Sequence, residues 1–233
     1  MFSHHGSSSS SVKNEIRPYV MFHSPSGFDK LPDWVYTKEC LKTVSLDVGI
    51  VNLSIRIEMR NPDGIFPLYF ERVDLKKLCD NTTNTTGTCN VGPDILEQAN
   101  KFIFRLLDGG YLHDADLIGI ERQVPDNIKA TKVFQHFIST FLILIKLGKI
   151  HNDVVLFDIY NQLKYSQLGC PTEYNTNAKK KWGIGKAKEI LTQRCDSWSL
   201  DVIKNNQGKA ETKADDLADC VLQMEAWFLY HIK

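Results

Sequence analysis

The sequence has no excess of charge of either sign, because its 233 residues include 28 Lys and Arg and 28 Asp and Glu. A globally basic surface that would attract nucleic acid is therefore excluded, although a local basic face is not. The sequence also lacks an uninterrupted apolar run of the ~18 residues that span a bilayer. Its most apolar stretch, Phe134–Leu147, is broken by polar residues such as His136 and Lys146. We expect a buried helix there and no membrane association.

Metal-binding cysteine patterns are absent as well. The six cysteines form no Cys-x-x-Cys pair and no His/Cys cluster with zinc spacing. We expect reduced thiols in an intracellular protein, although Cys79 and Cys89 flank a loop and could be bridged. Asn81 and Asn84 each begin an Asn-x-Thr glycosylation pattern. Because no secretory signal is apparent, these triplets indicate a polar loop.

The chain length suits one domain plus a tail, and an apolar share of 42% can form a core. Residues 1–38 contain a serine run and three prolines without a hydrophobic period, which predicts a flexible tail, followed by one domain over 39–233. Residues 76–92 are an Asn/Thr-rich insertion. Strands are predicted at Lys42–Ile50, Leu53–Met59, Phe66–Asp74, Asp116–Glu121 and Asp153–Ile159. Helices are predicted at Asp94–Leu107, Lys129–Leu147, Ala187–Gln193 and Thr212–Tyr230. This order predicts an α/β fold with a mixed five-stranded sheet flanked by helices.

Four carboxylates lie in apolar segments, where an unpaired charge is costly. Asp47 lies in the middle of the first predicted strand, two residues before Gly49, and Glu121 ends the fourth. Asp216 and Asp219 are three residues apart, so they share one face of the last helix. Carboxylates that converge would repel one another unless a cation lay among them. The pattern therefore favours a magnesium-type site with oxygen ligands, and phosphoryl chemistry as its use.

Each of these carboxylates also has a purely structural alternative. Asp47 could form a turn at a strand edge, Glu121 could pair with a basic group, and the Asp pair could interact with the helix dipole. Asp215 points about 100° away from Asp216 around the helix. Together with Thr212 it resembles a capping box, so we assign Asp215 to capping.

Two further segments indicate binding surfaces. The segment Lys179–Lys213 has nine basic residues against four acidic ones. Such a run is usually a solvated face, but it directly precedes the Asp pair, so we favour a track for a phosphate backbone. The helix Lys129–Leu147 is apolar on more than one side, which indicates a deep core position or a partner. We predict a homodimer interface.

A carboxylate on the first strand, another on the fourth and an Asp-x-x-Asp pair on the last helix is the plan of the RNase H-like nucleases. Among them the sequence resembles the RuvC-like Holliday junction resolvases, and most closely the poxvirus-type branch. The resemblance spans Val44 to Trp227. The matching pieces are Leu46-Asp47-Val48-Gly49 with Asn52, Ile120-Glu121-Arg122-Gln123, the aromatic-rich helix Phe134–Leu144, a lysine-rich segment, and Asp215-Asp216-Leu217-Ala218-Asp219.

The resemblance implies a ligand set for two Mg²⁺ ions, which Mn²⁺ could replace: Asp47, Glu121, Asp216 and Asp219. One ion would activate a water and the other the leaving oxygen during hydrolysis of a phosphodiester. The resemblance also implies a catalytic lysine near the scissile phosphate. Lys186 fits best by its distance from Asp216, and Lys181 comes next. The sequence departs from the family pattern in two places: the stretch Lys164–Lys180 is longer, and residues 76–92 are an insertion.

The implied substrate is a four-way DNA junction, whose near two-fold symmetry favours a homodimer with two active sites. Recognition would be mainly of backbone and shape. The implied setting is intracellular, in the cytoplasm of a virus-infected cell or in the virion.

Other interpretations of the same residues are a general RNase H-like or transposase-type nuclease and a non-catalytic junction-binding protein. An actin-like sugar kinase or ATPase also begins with Asp-x-Gly on its first hairpin. It needs a second phosphate loop and a glycine-rich adenosine site, which Gly183-x-Gly185 does not supply.

Overall fold

The computed structural model describes residues 19–21, 31–78, 91–123, 126–206 and 214–232. The strands are β1 (Tyr19–Met21), β2 (Leu41–Asp47), β3 (Leu53–Asn61), β4 (Gly64–Val73), β5 (Leu117–Glu121) and β6 (Val155–Ile159). The helices are α1 (Asp33–Thr37), α2 (Leu75–Leu78), α3 (Pro93–Asp108), α4 (Ile128–Lys146), α5 (Asn161–Leu168), α6 (Thr176–Gln193), α7 (Ser197–Asn205) and α8 (Ala214–His231). The predicted features at Cys79, Asn81, Asn84, Cys89 and Thr212 lie outside the described residues.

The strands form one sheet in the order β1-β6-β5-β2-β3-β4. Strands β2, β3 and β4 make an antiparallel meander, whereas β5 and β6 run parallel to β2. The mixed sheet of five strands predicted from the sequence is therefore confirmed, and so is the α/β class. The short strand β1 extends it at one edge by pairing with β6.

Two short elements lie within residues 1–38, for which the sequence predicts a flexible tail. These are β1 and α1, and Leu31 and Val35 next to and within α1 are buried in a hydrophobic cluster with Trp227. Apolar residues at Leu31 and Val35 thus attach part of this segment to the domain. The boundary near residue 38 otherwise stays a prediction.

Helices cover both faces of the sheet. Because successive side chains of a strand point to opposite faces, alternate residues of one strand contact different helices. Val44 and Leu46 of β2 belong to the hydrophobic cluster that includes α3 and α4. Ser45 of the same strand instead contacts α8 on the other face. The odd-numbered residues of β2, including its last residue Asp47, therefore face α8.

Gly119 on β5 allows bulky side chains to cross the strand on the α8 face. A Cβ atom on Gly119 would lie 2.6 Å from Cδ1 of Ile159 and 2.8 Å from Cε2 of Phe157. Phe157 in turn stacks on Trp227 of α8, with ring centroids 4.3 Å apart. The missing side chain thus sets how β6 and α8 pack.

Buried charges join β3 to the helices on the same face. Arg56 donates hydrogen bonds to Glu58 at 2.6 Å, to Ser199 at 2.7 Å and to Asp196 at 2.8 Å. Burial acts to raise the pKa of Glu58, but the neighbouring guanidinium groups of Arg60 and Arg56 outweigh it and hold the pKa at about 2. The charges are therefore paired, and they fix the start of α7 to the sheet.

Helix α4 agrees with the sequence prediction to within one residue at each end. Its Phe137 and Phe141 are buried in the core against the sheet. By length and composition alone, α4 is also apolar enough to cross a membrane, with a mean hydropathy of 1.3, a test that core helices pass too. Polar residues such as His136 and Lys146 interrupt this stretch, and the sequence therefore predicts a buried helix. Ile143 and Leu147 are 57% and 65% exposed, so one side of α4 is uncovered.

The region between β6 and α8 is more helical than predicted. Helices α5 and α7 were not predicted, and α6 begins at Thr176 rather than at Ala187. The side chain of Asn175 caps α6 by accepting a hydrogen bond from the Ala178 amide at 2.9 Å. The sequence signal is weak because α6 contains Gly183 and Gly185 and has no regular apolar stripe in its first half.

We expect Gly119→Ala to destabilise the protein by about 1–3 kcal/mol, because the new methyl group would collide with Phe157 and Ile159. Urea unfolding followed by tryptophan fluorescence measures this change. Gly185→Ala is the matched control: Gly185 is on an exposed helical surface where a Cβ meets no atom within 4 Å. The control should be neutral or stabilising by up to about 1 kcal/mol. Equal effects of the two substitutions would contradict the packing role of Gly119.

Candidate active site

Three carboxylates converge at the carboxyl ends of the central strands. Asp47 is the last residue of β2, and Glu121 is the last residue of β5. The two strands are parallel neighbours, with Leu46 opposite Ile120, so the residues that follow lie side by side. Asp219 reaches the same point from α8, and one oxygen of each carboxylate lies within 4.8 Å of the others. This set could hold a metal ion, because hard divalent cations prefer carboxylate oxygens.

Asp216 lies near this group but has separate partners. It lines the same cleft, and its Oδ2 is 3.5 Å from Nε of Arg72. Arg72 comes from the edge strand β4 and also donates a hydrogen bond to Asn52 in the turn between β2 and β3. Burial raises the pKa of Asp216 to about 7, with further contributions from Asp215 and Asp219. All four predicted carboxylates therefore face one cleft, three of them in close contact.

Asp215 pairs with a lysine of a neighbouring helix. Its side chain is buried and lines the cleft, and its Oδ2 lies 2.6 Å from Nζ of Lys180 on α6. The sequence assigns it to capping with Thr212, which lies outside the described residues. In the structure Asp215 joins the start of α8 to the first turns of α6.

The lysine beside the carboxylates is Lys164, which the sequence analysis did not select. It is 0% exposed, and its Nζ lies 2.6 Å from Oδ2 of Asp219 and 3.8 Å from Oε1 of Glu121. The predicted Lys186 lies further along α6, pairs with Glu189 at 2.8 Å and does not line the cleft. Lys181 is exposed and also lies outside the lining. The sequence favours Lys186 by its distance ahead of Asp216. That distance gives no information about Lys164, because Lys164 lies on α5, a helix that the sequence does not predict.

Gln223 is a second residue that the sequence analysis missed. It is fully buried on α8, one turn after Asp219. Its Nε2 donates a hydrogen bond to Oε2 of Glu121, and its Oε1 accepts one from Oγ of Ser45 at 3.4 Å. The available signal is a polar residue within the apolar side of an otherwise amphipathic helix.

The pKa values in this group reflect crowded negative charge. Burial raises the pKa of Asp47 well above its usual range, and the carboxylates of Glu121 and Asp219 raise it further. Burial also raises the pKa of Asp219 to about 6, although Lys164 opposes this shift. A positive charge added to the site would therefore be stabilised. The carboxylate oxygens of the site are also the ligands that a hard divalent cation prefers.

The carboxylates lie in a cleft of about 740 Å³ with a basic and polar rim. Helices α5, α6 and α8 begin at this cleft, and residues of their first turns line it. The start of a helix favours negative charge because its backbone N–H groups are unpaired. The rim residues are Arg122, Gln123, Tyr160, Asn161, Gln162, Tyr165, Thr176, Lys179 and Lys180. Such a cleft suits a phosphate-bearing chain together with a divalent cation.

Comparison with known proteins identifies the fold. No protein-family model matches the sequence, and no curated protein sequence matches it either. The yeast mitochondrial Holliday junction resolvase Ydc2 superposes with a TM-score of 0.57 at 16% identity, over 82% of this chain and 80% of that one. The fowlpox virus Holliday junction resolvase superposes with a TM-score of 0.50 at 14% identity, over 81% of this chain and 97% of that one. Its complex with Holliday junction DNA gives a TM-score of 0.50 at 14% identity, over 83% of this chain and 100% of that one.

These superpositions show that the chain has the fold of the Holliday junction resolvases, as the sequence resemblance predicts. The fold itself extends over most of each compared chain.

The raised pKa of Asp216, about 7, makes the metal-free protein sensitive to pH. An unfolded aspartate has a pKa near 4, so the stabilising contribution is complete below that value and is lost as pH rises through the folded pKa. In a chelating buffer, the free energy of unfolding should fall between about pH 4 and pH 7. Asp216→Asn should reduce this fall by up to about 4 kcal/mol. Asp201→Asn, at an exposed carboxylate of α7, is the control; identical pH slopes in wild type and Asp216→Asn would contradict the prediction.

Proposed function

We propose that this protein is a divalent-metal-dependent endodeoxyribonuclease that resolves four-way DNA junctions by phosphodiester hydrolysis. The observation that carries the proposal is the convergence of Asp47, Glu121 and Asp219 from three separate elements into one cleft. The fold gives independent support, because the compared resolvases share it. A scaffold that only bound DNA would gain nothing from burying mutually repelling carboxylates.

The donor set fits a hard cation, and we propose Mg²⁺, held by Asp47, Glu121 and Asp219, with Asp216 completing the site for a second ion. When bound, the ions would supply Lewis acidity for the attacking water and for the leaving oxygen. Binding of the substrate would depend on side chains of the protein. Lys179 and Lys180 on the rim would bind the phosphodiester backbone. Lys164, which lies beside the carboxylates, would take the role near the scissile phosphate that the resemblance implies for Lys186.

The proposed substrate class follows from fold and charge together. The fowlpox enzyme was solved with Holliday junction DNA, and this chain covers all of it. The rim lysines of α6 form part of the basic segment that directly precedes the Asp pair in sequence. Recognition would thus depend on backbone phosphates and on the shape of the junction. We place the reaction inside cells, on viral replication or recombination intermediates, by analogy with the fowlpox enzyme.

We further propose that the active form is a homodimer through α4. This helix is apolar, yet only 33% of its 18-residue apolar stretch is buried within the chain. Ile143 and Leu147 remain largely exposed. A second copy is the proposed occupant, because resolving a near two-fold junction requires two cuts and hence two related active sites.

The substrate is tested with labelled four-way junction, duplex, flap and RNA–DNA hybrid, each with and without Mg²⁺. We expect cleavage of the four-way junction only with Mg²⁺. Asp47→Asn should abolish cleavage, with a loss of at least about 10³-fold, while junction binding survives because the basic rim is intact. Asp201→Asn, which lies outside the cleft, should cleave normally. Full activity of Asp47→Asn would refute the site, and preference for the RNA–DNA hybrid would indicate a general RNase H-like nuclease instead.

The dimer is tested by sedimentation of Ile143→Glu. Introducing a charge into an apolar interface should convert the dimer into a monomer at micromolar concentration. Leu229→Glu is the matched control, because Leu229 is an exposed apolar side chain on α8. A wild-type protein that is monomeric and still makes both cuts in a junction would contradict the proposal.

A further inference from the structure

Lys164 holds a fixed positive charge inside the carboxylate group. Its ammonium group contacts Asp219 at 2.6 Å and lies 3.8 Å from Glu121, without solvent exposure. Helix α5 contains no other charged residue. Burying an ammonium group costs several kcal/mol unless it is paired. A lysine at this point is therefore explained by the carboxylates that it contacts.

The ammonium group of Lys164 is paired by its surroundings. It lies next to a group of three carboxylates, Asp47, Glu121 and Asp219, whose oxygens lie within 4.8 Å of one another. Without it, these groups would repel one another at the bottom of the cleft, where such repulsion is screened less than between fully solvated charges.

Gln223 fixes the other side of Glu121. Its amide nitrogen donates to Oε2 of Glu121, whereas Lys164 lies on the side of Oε1. The amide oxygen of Gln223 accepts from Ser45 of β2. The orientation of Glu121 is therefore set from α5 and from α8 at the same time.

We propose that Lys164 and Gln223 are positioning residues that keep Glu121 and Asp219 assembled at ligating distance before any divalent cation binds. Lys164 supplies the charge that a cation would otherwise have to provide, and Gln223 sets the orientation of Glu121. This inference rests on the proposed function and extends it, because it states how the site is organised in the metal-free protein. Removing Lys164 should destabilise the metal-free protein and strengthen the binding of a divalent cation.

The first test compares Lys164→Met with wild type by thermal unfolding in EDTA and in excess Mg²⁺. In EDTA the midpoint should fall by about 10 °C, as expected when one member of a buried ion pair is removed. Mg²⁺ should raise the midpoint more in the variant than in wild type, because a bound cation relieves the same repulsion. A midpoint lowered equally with and without Mg²⁺ would show that Lys164 has only a packing role. Lys204→Met, at an exposed lysine of α7, should change neither measurement.

The second test is a double-mutant cycle with Asp219→Asn, all in EDTA. Lys164→Met/Asp219→Asn should unfold at a higher temperature than Lys164→Met alone, because one repelling charge is removed as well. If Lys164→Met yields no soluble protein, soluble recovery of the double variant supports the proposal. Loss of both variants, or a double variant less stable than Lys164→Met, overturns it.

The role of Gln223 is tested by Mn²⁺ binding, followed by the electron paramagnetic resonance signal of free Mn²⁺. Gln223→Leu keeps the volume but loses the amide, so Mn²⁺ affinity should fall by about tenfold or more, as for other residues that orient a metal ligand. Gln223→Glu adds a carboxylate and should lower the thermal midpoint in EDTA. Wild-type Mn²⁺ affinity in Gln223→Leu would overturn this part of the proposal.

None of these measurements uses DNA, so they are independent of the proposed activity. A wild-type protein that cleaves no junction, together with the expected coupling between Lys164 and Asp219, would refute the function and leave the positioning role in place. Junction cleavage without that coupling would support the function and refute the positioning role.

Discussion

Repulsion between buried carboxylates is the constraint on which the rest of this structure depends. Asp47, Glu121 and Asp219 bring negative oxygens within 4.8 Å of one another inside the protein. Such an arrangement is unfavourable unless positive charge and hydrogen-bond donors surround it. Lys164, Gln223 and the first turns of three helices provide this surrounding in part. The remaining imbalance is expressed in the raised pKa values of the aspartates, and a cation bound among them would relieve it.

The fold serves this arrangement directly. Parallel pairing of β2 with β5 sets Asp47 beside Glu121, and α8 crosses the same face of the sheet. The crossing is possible because Gly119 has no side chain and lets Phe157 reach Trp227. Ion pairs centred on Arg56 attach the neighbouring helix to β3. A rigid scaffold of this kind can hold groups that would otherwise move apart.

Sequence reasoning succeeds where one residue is unusual within a regular pattern. Asp47 and Glu121 could be found because each is a carboxylate in an apolar strand segment, and the sheet follows from the alternation of those strands. The Asp-x-x-Asp spacing likewise places Asp216 and Asp219 on one helix face.

Lys164 could not be found in this way. Helix α5 is short and only weakly amphipathic, so neither its existence nor its buried face is visible in the sequence. Asp215 was assigned to capping because helical geometry alone turns it away from Asp216, whereas α6 packs on that side and supplies Lys180. Both outcomes depend on helix packing over long sequence distances, about which local patterns carry no information.

Arg72 gives the outermost strand of the sheet a part in the site. Its guanidinium group connects β4 to Asn52 in the first hairpin turn and to Asp216 at the start of α8. An edge strand is ordinarily the most replaceable part of a sheet. Here β4 connects the hairpin turn to the final helix through Arg72. Substitution of this β4 residue would therefore change the surroundings of Asp216 in the cleft.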